Sequence, residues 1–578
     1  MASPALTAVS RKDGDASAPR IRKGGFIHGH GLWLLILPAL LFFIVFFVVP
    51  TASLFGLAFN KSVAGVITLS SDITFDNFVR IFTRPIYYES ILRSAGISAV
   101  VALVCLVFGY PLAYVIAKTV NPGRNTLLMI LVLSSMQLDM VIRLYGLMVL
   151  LGDNGLINGA LLRLGIISAP LPLMYNIFGV VVGLVQITLP FMVLSLIGII
   201  KSIHPSLEEA ARSLGASRSK AFFSVVLPLS MPGILAGTLL VFALAISSYV
   251  VPALMGGWKV MVMPIHIYQQ VAETGRWQFG AAIAVVLFVT SLMAIARLPP
   301  RRHAHHGRTQ LMREETSIPL VFKFLSALTL TILLTPVVIV ILSGLNSGDY
   351  LTFPPQGLSL RWVYAFLTSP TFLSAYGVSF MVAGISTVIS TVLGTMAALF
   401  LTRSSSRVVG PMRAFFMMPI VLPGVVLGLA LYVFYVTTDI GLARTMAGLV
   451  IGHVIVTCPF VIATVTAALV GFDRSLEEAA RSLGASPFTA FRLVTLKIIS
   501  PAISAGTIFA FIISFGQFEV TLFLSTPNLQ TLPMAMYVAL RYAFEPTAAA
   551  AGIFAIILVV VSMVATSKLV NLKRIFGG

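Results

Sequence analysis

Long runs of uninterrupted apolar residues dominate the chain, separated by short polar connectors. The first run, Leu32 to Phe59, contains no charged residue. It is too long for a signal-peptide core and no A-x-A site directly follows, so it predicts a retained spanning helix. Similar runs follow at about 92–117, 127–151, 174–200, 232–255 and 279–298. A second set lies at about 318–345, 372–401, 413–437, 447–471, 501–524 and 547–570. The runs are continuous rather than alternating, which predicts helices and not a barrel. The expectation is an all-α membrane protein with twelve transmembrane helices in two sets of six.

The two sets resemble each other. Residues Glu208–Ser217 read EEAARSLGAS, and so do Glu477–Ser486, 269 positions later. The same offset relates Pro190-Phe191 to Pro459-Phe460, Pro232 to Pro501, Phe242 to Phe511, Pro264 to Pro533 and Tyr268 to Tyr537. With six spans per unit the copies share one orientation, so the repeat is parallel, related by an axis along the membrane normal. The expected organisation is a disordered cytoplasmic tail (1–31), a first unit (32–298), a basic cytoplasmic linker (299–317) and a second unit (318–578). His303, His305 and His306 lie in that linker and are read as part of a solvated, basic segment rather than as metal ligands.

Composition supports the membrane reading. Of the 578 residues, 58% are hydrophobic and only 10% charged, against about 25% charged in a soluble domain. The formal net charge is +19, which in a soluble protein would suggest nucleic acid. With the N-terminus placed in the cytoplasm, most of the 38 basic residues fall on the side that carries both EEAARSLGAS segments. The excess therefore records orientation and contact with anionic membrane lipid, and no nucleic acid is expected. Cys105 and Cys458 both sit in apolar runs; they read as packing residues without disulfide or metal-ligand spacing.

Each repeated segment predicts a short helix. Ser206 with Glu209, and Ser475 with Glu478, have the spacing of a capping box. Glu208 and Arg212, like Glu477 and Arg481, are four residues apart and suit an i,i+4 pair. Leu207, Ala211 and Leu214 share one face, as do Leu476, Ala480 and Leu483. Gly215 and Gly484 then stop the helix as left-handed caps, and Ser486-Pro487 restarts it. Small Ala210-Ala211 and Ala479-Ala480 beside a charged rim suit insertion into a partner's groove, and two copies imply two partners.

These segments, with Pro232-Gly233 and Pro501-Ala502 following, resemble the EAA loop of permease subunits in binding-protein-dependent ABC importers. The resemblance covers essentially the whole chain from about residue 32, as two permease units of the type I importer fold fused end to end. It implies coupling loops at about 201–231 and 472–500, with Glu208, Glu209, Ala210, Ala211, Leu214, Gly215, Glu477, Glu478, Ala479, Ala480, Leu483 and Gly484 meeting two copies of a cytoplasmic ABC ATPase. It also implies an external solute-binding protein. Further stretches are similar to the spermidine and putrescine branch: Arg143-Leu144-Tyr145, Leu150-Leu151-Gly152, Gly155-Leu156-Ile157-Asn158, Ser359-Leu360-Arg361-Trp362, Pro419–Gly424 and Thr531-Leu532-Pro533. Ser514-Phe515-Gly516-Gln517-Phe518-Glu519 departs from the S-F-D-E-like stretch of that branch. Related branches carry aminoethylphosphonate, ferric iron or thiamine.

No G-x-x-x-x-G-K-[ST] occurs in the chain, so it is expected to be no enzyme and to hold no cofactor, with ATP and Mg on the partner ATPase subunits. Three charged residues fall inside predicted spans: Asp139, Arg143 and Glu519. Asp139 and Arg143, four apart, read either as an intrahelical ion pair or as part of a path. Glu519 with Gln517, Phe518 and Tyr249 reads either as the lining of a central path for a small organic cation or as helix-to-helix hydrogen bonding. His453 reads as a packing and hydrogen-bonding residue. An ion-driven secondary transporter, which would show paired midplane charges or broken helices in both halves, and a non-transport scaffold are the rival readings.

Overall fold

The computed structural model describes residues 30–67, 69, 72–296, 318–348, 354–542 and 546–569. The expected N-terminal tail up to residue 29, and all of the basic linker 299–317, lie outside the described residues, as do His303, His305 and His306.

Regular structure among the described residues is helical throughout. This follows from the apolar runs, since a spanning segment must satisfy every backbone N–H and C=O within itself. The first half contains α1 (Leu32–Ala58), α2 (Pro85–Lys118), α3 (Pro122–Gln137), α4 (Met140–Leu151), α5 (Ile177–Ser202), α6 (Pro205–Ser213), α7 (Leu227–Ser247), α8 (Met263–Tyr268) and α9 (Trp277–Ala296). The second contains α10 (Leu320–Gly344), α11 (Pro370–Arg403), α12 (Val409–Val421), α13 (Gly424–Thr438), α14 (Met446–Val470), α15 (Ser475–Ser482), α16 (Leu496–Phe515), α17 (Leu532–Tyr542) and α18 (Thr547–Leu569).

Twelve apolar segments are present, but not as twelve straight spans. Nine helices among the described residues are long and apolar enough to cross a membrane, and α12 with α13 makes a tenth, bent by 97°. Trp277–Met293 and Thr547–Ser562 are shorter apolar stretches. The third segment of each half is the one that breaks. In the first half, Asp139 adopts an extended conformation and its carboxylate Oδ1 accepts from the Val141 (2.7 Å) and Ile142 amides, restarting the chain as α4. In the second half the break falls at Leu422-Pro423, where proline forces its predecessor out of the helical region.

Each half packs α2 on α5, or α11 on α14, as its densest contact, and then sends its first helix across to the other half. Helix α1 lies against α11 and α13, while α10 lies against α2, α4 and α18. The crossings are close because small groups sit at them. A Cβ at Gly146 would strike the carbonyl of Pro336, and the Thr329 hydroxyl of α10 donates to the Phe108 carbonyl of α2 at 2.9 Å. Trp277 stacks on Tyr432 at 5.2 Å between ring centres.

Candidate functional site

The repeated loops form the helices that the pattern predicts, but their starts differ from it. Pro205 occupies the first turn of α6, so His204 becomes the cap and its Nδ1 accepts from the Ser206 amide at 3.3 Å. Ser206 is thereby inside the helix and the capping box with Glu209 does not form. At α15 the Asp473 carboxylate accepts from the Ser475 amide at 3.0 Å, which holds its carboxyl below the usual range and displaces the box with Glu478.

Glu208 and Glu477 also turn away from their expected helical partners. Glu208 is buried, with Lys118 Nζ at 2.6 Å and the Tyr114 hydroxyl at 3.5 Å. Glu477 is buried against Arg403, which donates through Nη1 (3.2 Å) and Nη2 (2.6 Å), and accepts from the Thr495 hydroxyl at 2.8 Å. Lys118 and Arg403 are the last residues of α2 and α11. A cation at a helix C-terminus and a buried carboxylate satisfy each other better than an exposed i,i+4 pair does. The first glutamate of each repeat therefore ties its short helix to the long helix beside it.

The opposite faces are open. Leu214 is 89% exposed and Leu483 90% exposed, and Glu209, Ala210, Glu478 and Ala479 are exposed beside them. Ala211 and Ala480 are half-buried. Gly215 (φ +89°) and Gly484 (φ +91°) end the helices in the left-handed region. Their amides reach the Arg212 and Arg481 carbonyls, and the next amides reach Ala211 and Ala480, the hydrogen-bond pair of a Schellman turn. Ser217 and Ser486 cap the following turns. Two nearly bare leucines are thus each held out on a closed turn.

At the far end of the molecule from these loops, the halves meet through aromatic side chains. Tyr249 and Tyr268 lie 5.1 Å apart and Phe518 and Tyr537 lie 4.9 Å apart. The 269-residue offset relates Tyr249 to Phe518 and Tyr268 to Tyr537, so the four rings form two equivalent pairs. The Tyr249 and Tyr537 hydroxyls hydrogen-bond across the junction at 2.9 Å. Arg541 Nη1 donates to both, at 3.1 Å and 2.5 Å. Neither Arg541, Tyr537 nor Trp258 was singled out from the sequence as a site residue; the repeat offset of the aromatic pairs was the signal available.

The charged residues of the spans lie nearby but do not pair. Glu519 is half-buried, and its carboxylate lies against Gly424, which opens α13. Gln517 is half-buried, whereas Phe518 and Tyr249 are buried in the ring cluster. Asp139 and Arg143 make no ion pair, because Asp139 stands outside the helix and turns its oxygen onto the α4 amides. Asp139 Oδ2 and Arg143 Nε and Nη1 are buried without a hydrogen-bond partner. Asp139 faces Gly516 of the other half, in a narrow crevice of about 10 Å³ lined also by Gln137, Phe515 and Leu558. His453 bonds through Nδ1 to Ser514 (2.8 Å) and through Nε2 to Thr521 (3.0 Å). Cys105 and Cys458 are buried thiols.

Two further bonds recur in both halves. Ser94 of α2 accepts from the Met263 amide that opens α8 (3.0 Å), and Ser379 of α11 accepts from the Leu532 amide that opens α17 (2.7 Å). Each long helix is thus bonded to a repeated loop at its C-terminal end and, through a serine in its first third, to an aromatic-bearing helix.

A known family covers both halves of the chain. The pattern of the binding-protein-dependent transport system inner membrane component matches residues 31–302 and 390–574. The spermidine/putrescine transport system permease protein PotB of Haemophilus influenzae is 39% identical over 223 residues, 39% of this chain and 77% of that protein. The putrescine transport system permease protein PotI of Escherichia coli is 32% identical over 222 residues, 37% of this chain and 78% of that protein. The crystal structure of a bacterial alginate ABC transporter with its pentasaccharide-bound periplasmic protein overlays at a TM-score of 0.38 and 18% identity, over 46% of this chain and 92% of that one. The chain belongs to the inner membrane components of binding-protein-dependent transport systems, as two such units fused in one polypeptide.

Proposed function

We propose that this chain is the membrane-spanning permease of an ATP-driven importer that passes a polyamine or related organic cation into the cytoplasm. The observation that carries the ATP-driven part is the pair of identical helix–glycine turns, each locked from behind by a buried ion pair and bare at Leu214 and Leu483. Two ATPase subunits would seat on these turns. A solute-binding protein would deliver at the other end, and both termini would lie on the ATPase side. ATP and Mg would be held by the ATPases.

Polyamine as substrate rests on the named permease relatives and on the half-buried Glu519 carboxylate beside the aromatic junction. Asp139, Tyr249, Gln517, Phe518 and Glu519 are the proposed lining residues. Aminoethylphosphonate, ferric iron and thiamine are the competing solutes. The third spans are broken in both halves, a feature also expected of an ion-driven carrier; the repeated docking turns are what such a carrier would not need.

The test is ATP hydrolysis by the complex reconstituted with its binding protein, across those solutes. Stimulation by spermidine or putrescine alone is the expected result, and stimulation by another solute alone would reassign the substrate. Replacing Gly215 and Gly484 together by proline, which cannot adopt their positive φ, should abolish ATPase retention on purification. An ATPase still retained would remove these turns as the docking sites.

A further inference from the structure

Each long second helix is preceded by a short one that has no part in the docking turns or the aromatic junction. Asp76–Thr83 leads into α2 and Arg361–Thr368 leads into α11. Residues 73–85 and 358–370 correspond at an offset of 285, with Pro85 and Pro370 opening the long helices. Between short and long helix the backbone turns a corner, at Arg84 (ψ +122°) and at Ser369 (ψ +113°). Lys118 and Arg403 hold the docking turns at the opposite ends of α2 and α11, so both corners lie at the far end of the molecule.

One face of each short helix is fixed from within. Asn77 is buried and donates to the carbonyls of Ala58 (2.9 Å) and Asn60 (2.8 Å), and Ile81 is buried beside it. In the second half Phe366 is buried and stacks on Phe554 of α18 at 4.8 Å, while Trp362 Nε1 donates to the Gly348 carbonyl at 3.1 Å. The opposite face is bare and apolar. Phe75, Val79 and Phe82 are 57–63% exposed, and their counterparts Leu360, Tyr364 and Leu367 are 48–71% exposed. Spaced i, i+4 and i+7, each set makes one stripe. Past the corner, Ile86 and Leu92 of α2, and Leu373 and Phe380 of α11, carry exposed apolar surface on into the spanning helices. The row stays apolar in both copies while its side chains change, Val79 to Tyr364 and Phe82 to Leu367. The charges beside it do not persist, since Arg361 replaces Asp76 and Ser369 replaces Arg84. A protein partner selects particular side chains, whereas a bilayer selects only apolarity.

We propose that the two short helices are membrane-surface anchors, lying along the phospholipid leaflet opposite the docking turns with their bare rows among the upper acyl chains. Lipid is the occupant because each row is continuous with the outer surface of a spanning helix, in a family of inner membrane components. The exposed Tyr88 and Tyr364 place their hydroxyls at the headgroup level, where amphipathic rings collect. The exposed Arg84 reaches lipid phosphate from its corner while its stem stays with the apolar row. Anchored in this way, the far ends of α2 and α11 keep a fixed depth in the bilayer while their other ends follow the docking turns. Neither short helix contributes to the proposed solute path, so the anchors are the same whichever solute is carried.

Collisions of a spin label with oxygen and with a water-soluble nickel chelate test this in the full chain, in vesicles of phosphatidylethanolamine and phosphatidylglycerol. Oxygen concentrates among acyl chains, and the chelate stays in water. Cys105 and Cys458 are buried, so the label goes to a cysteine introduced by Val79→Cys or Tyr364→Cys. Phe82→Cys and Leu367→Cys give a second site on each row, and all four side chains are exposed, so the core is untouched. The expected result is an oxygen-to-chelate collision ratio above unity at sites in both helices. Collisions dominated by the chelate would place the rows in water and overturn the proposal. Weak collision with both reagents would mean that a second copy of the chain covers the rows, which also overturns it. A label that collides with the chelate until the solute-binding protein is added, and is then shielded, would make the rows a protein-docking face and overturn the lipid assignment.

Discussion

A single buried carboxylate decides what the first glutamate of each repeat does. Glu208 could pair with Arg212 on its own helix, yet Lys118 at 2.6 Å takes it instead. Lys118→Met would leave the Glu208 charge buried and unpaired, a loss of about 3–5 kcal/mol. The melting midpoint of the permease should fall clearly in Lys118→Met and stay unchanged in Arg212→Ala; equal falls would restore the intrahelical pair. Asp139 separates into two roles in a similar way. Asp139→Asn keeps an acceptor for the Val141 amide, whereas Asp139→Ala gives up a cap of about 1 kcal/mol. If the unpartnered oxygen facing the interhalf cleft attracts cationic solute, Asp139→Asn should fold as well as wild type and import less. Import equal to wild type would leave Asp139 as a cap alone. Sequence could reveal that Glu208 and Asp139 were charged in costly places. It could not reveal their partners, because Lys118 is 90 residues from Glu208 and Gly516 is 377 from Asp139.

Among elements, the short docking helices were the most legible, since glycine, small residues and the restart serine act within a few positions of one another. Gly215 at φ +89° has open space around its would-be Cβ. Gly215→Ala should therefore cost only the backbone strain of a left-handed residue, about 1 kcal/mol, and keep ATPase retention that Gly215→Pro with Gly484→Pro removes. Retention lost already in the single alanine variant would mean that the turn tolerates no side chain. The helix starts were misread because His204 and Asp473 offer the amides acceptors two residues upstream of the expected serines. The third spans were misread as continuous because hydropathy is blind to a cap: Leu138-Asp139-Met140 and Leu422-Pro423-Gly424 interrupt otherwise apolar runs. The repeat itself was legible only after the third span. Helices α2 and α11 correspond at an offset of 285, and α5 and α14 at 269, so one constant offset finds the docking turns and misses Ser94 with Ser379.

The whole molecule is interleaved rather than side by side. Because α1 packs on α11 and α13 as well as on α9, and α10 on α2 and α4 as well as on α18, neither half alone covers its own first helix. Residues 1–298 and 299–578 expressed apart should each aggregate in mild detergent, whereas co-expressed they should elute as one complex on size exclusion. Two monodisperse halves would show that the crossing helices contribute little. That interleaving was not readable from hydropathy, which specifies how many segments cross but not which neighbours they choose. The long second helices set a further property of the assembly. Each has 34 residues, about 50 Å at 1.5 Å per residue, and is bonded to a repeated turn at its C-terminal end and, about 36 Å earlier, to an aromatic-bearing helix through Ser94 or Ser379. Helix α11 has no interior proline, whereas Pro111 interrupts the hydrogen-bond ladder of α2 between Ser94 and Lys118, so a displacement would pass stiffly along α11 and through a bend along α2. The same helices would then report solute arrival downward and nucleotide state upward, so a flexible joint inserted midway would make the two ends of the protein deaf to each other while leaving both intact.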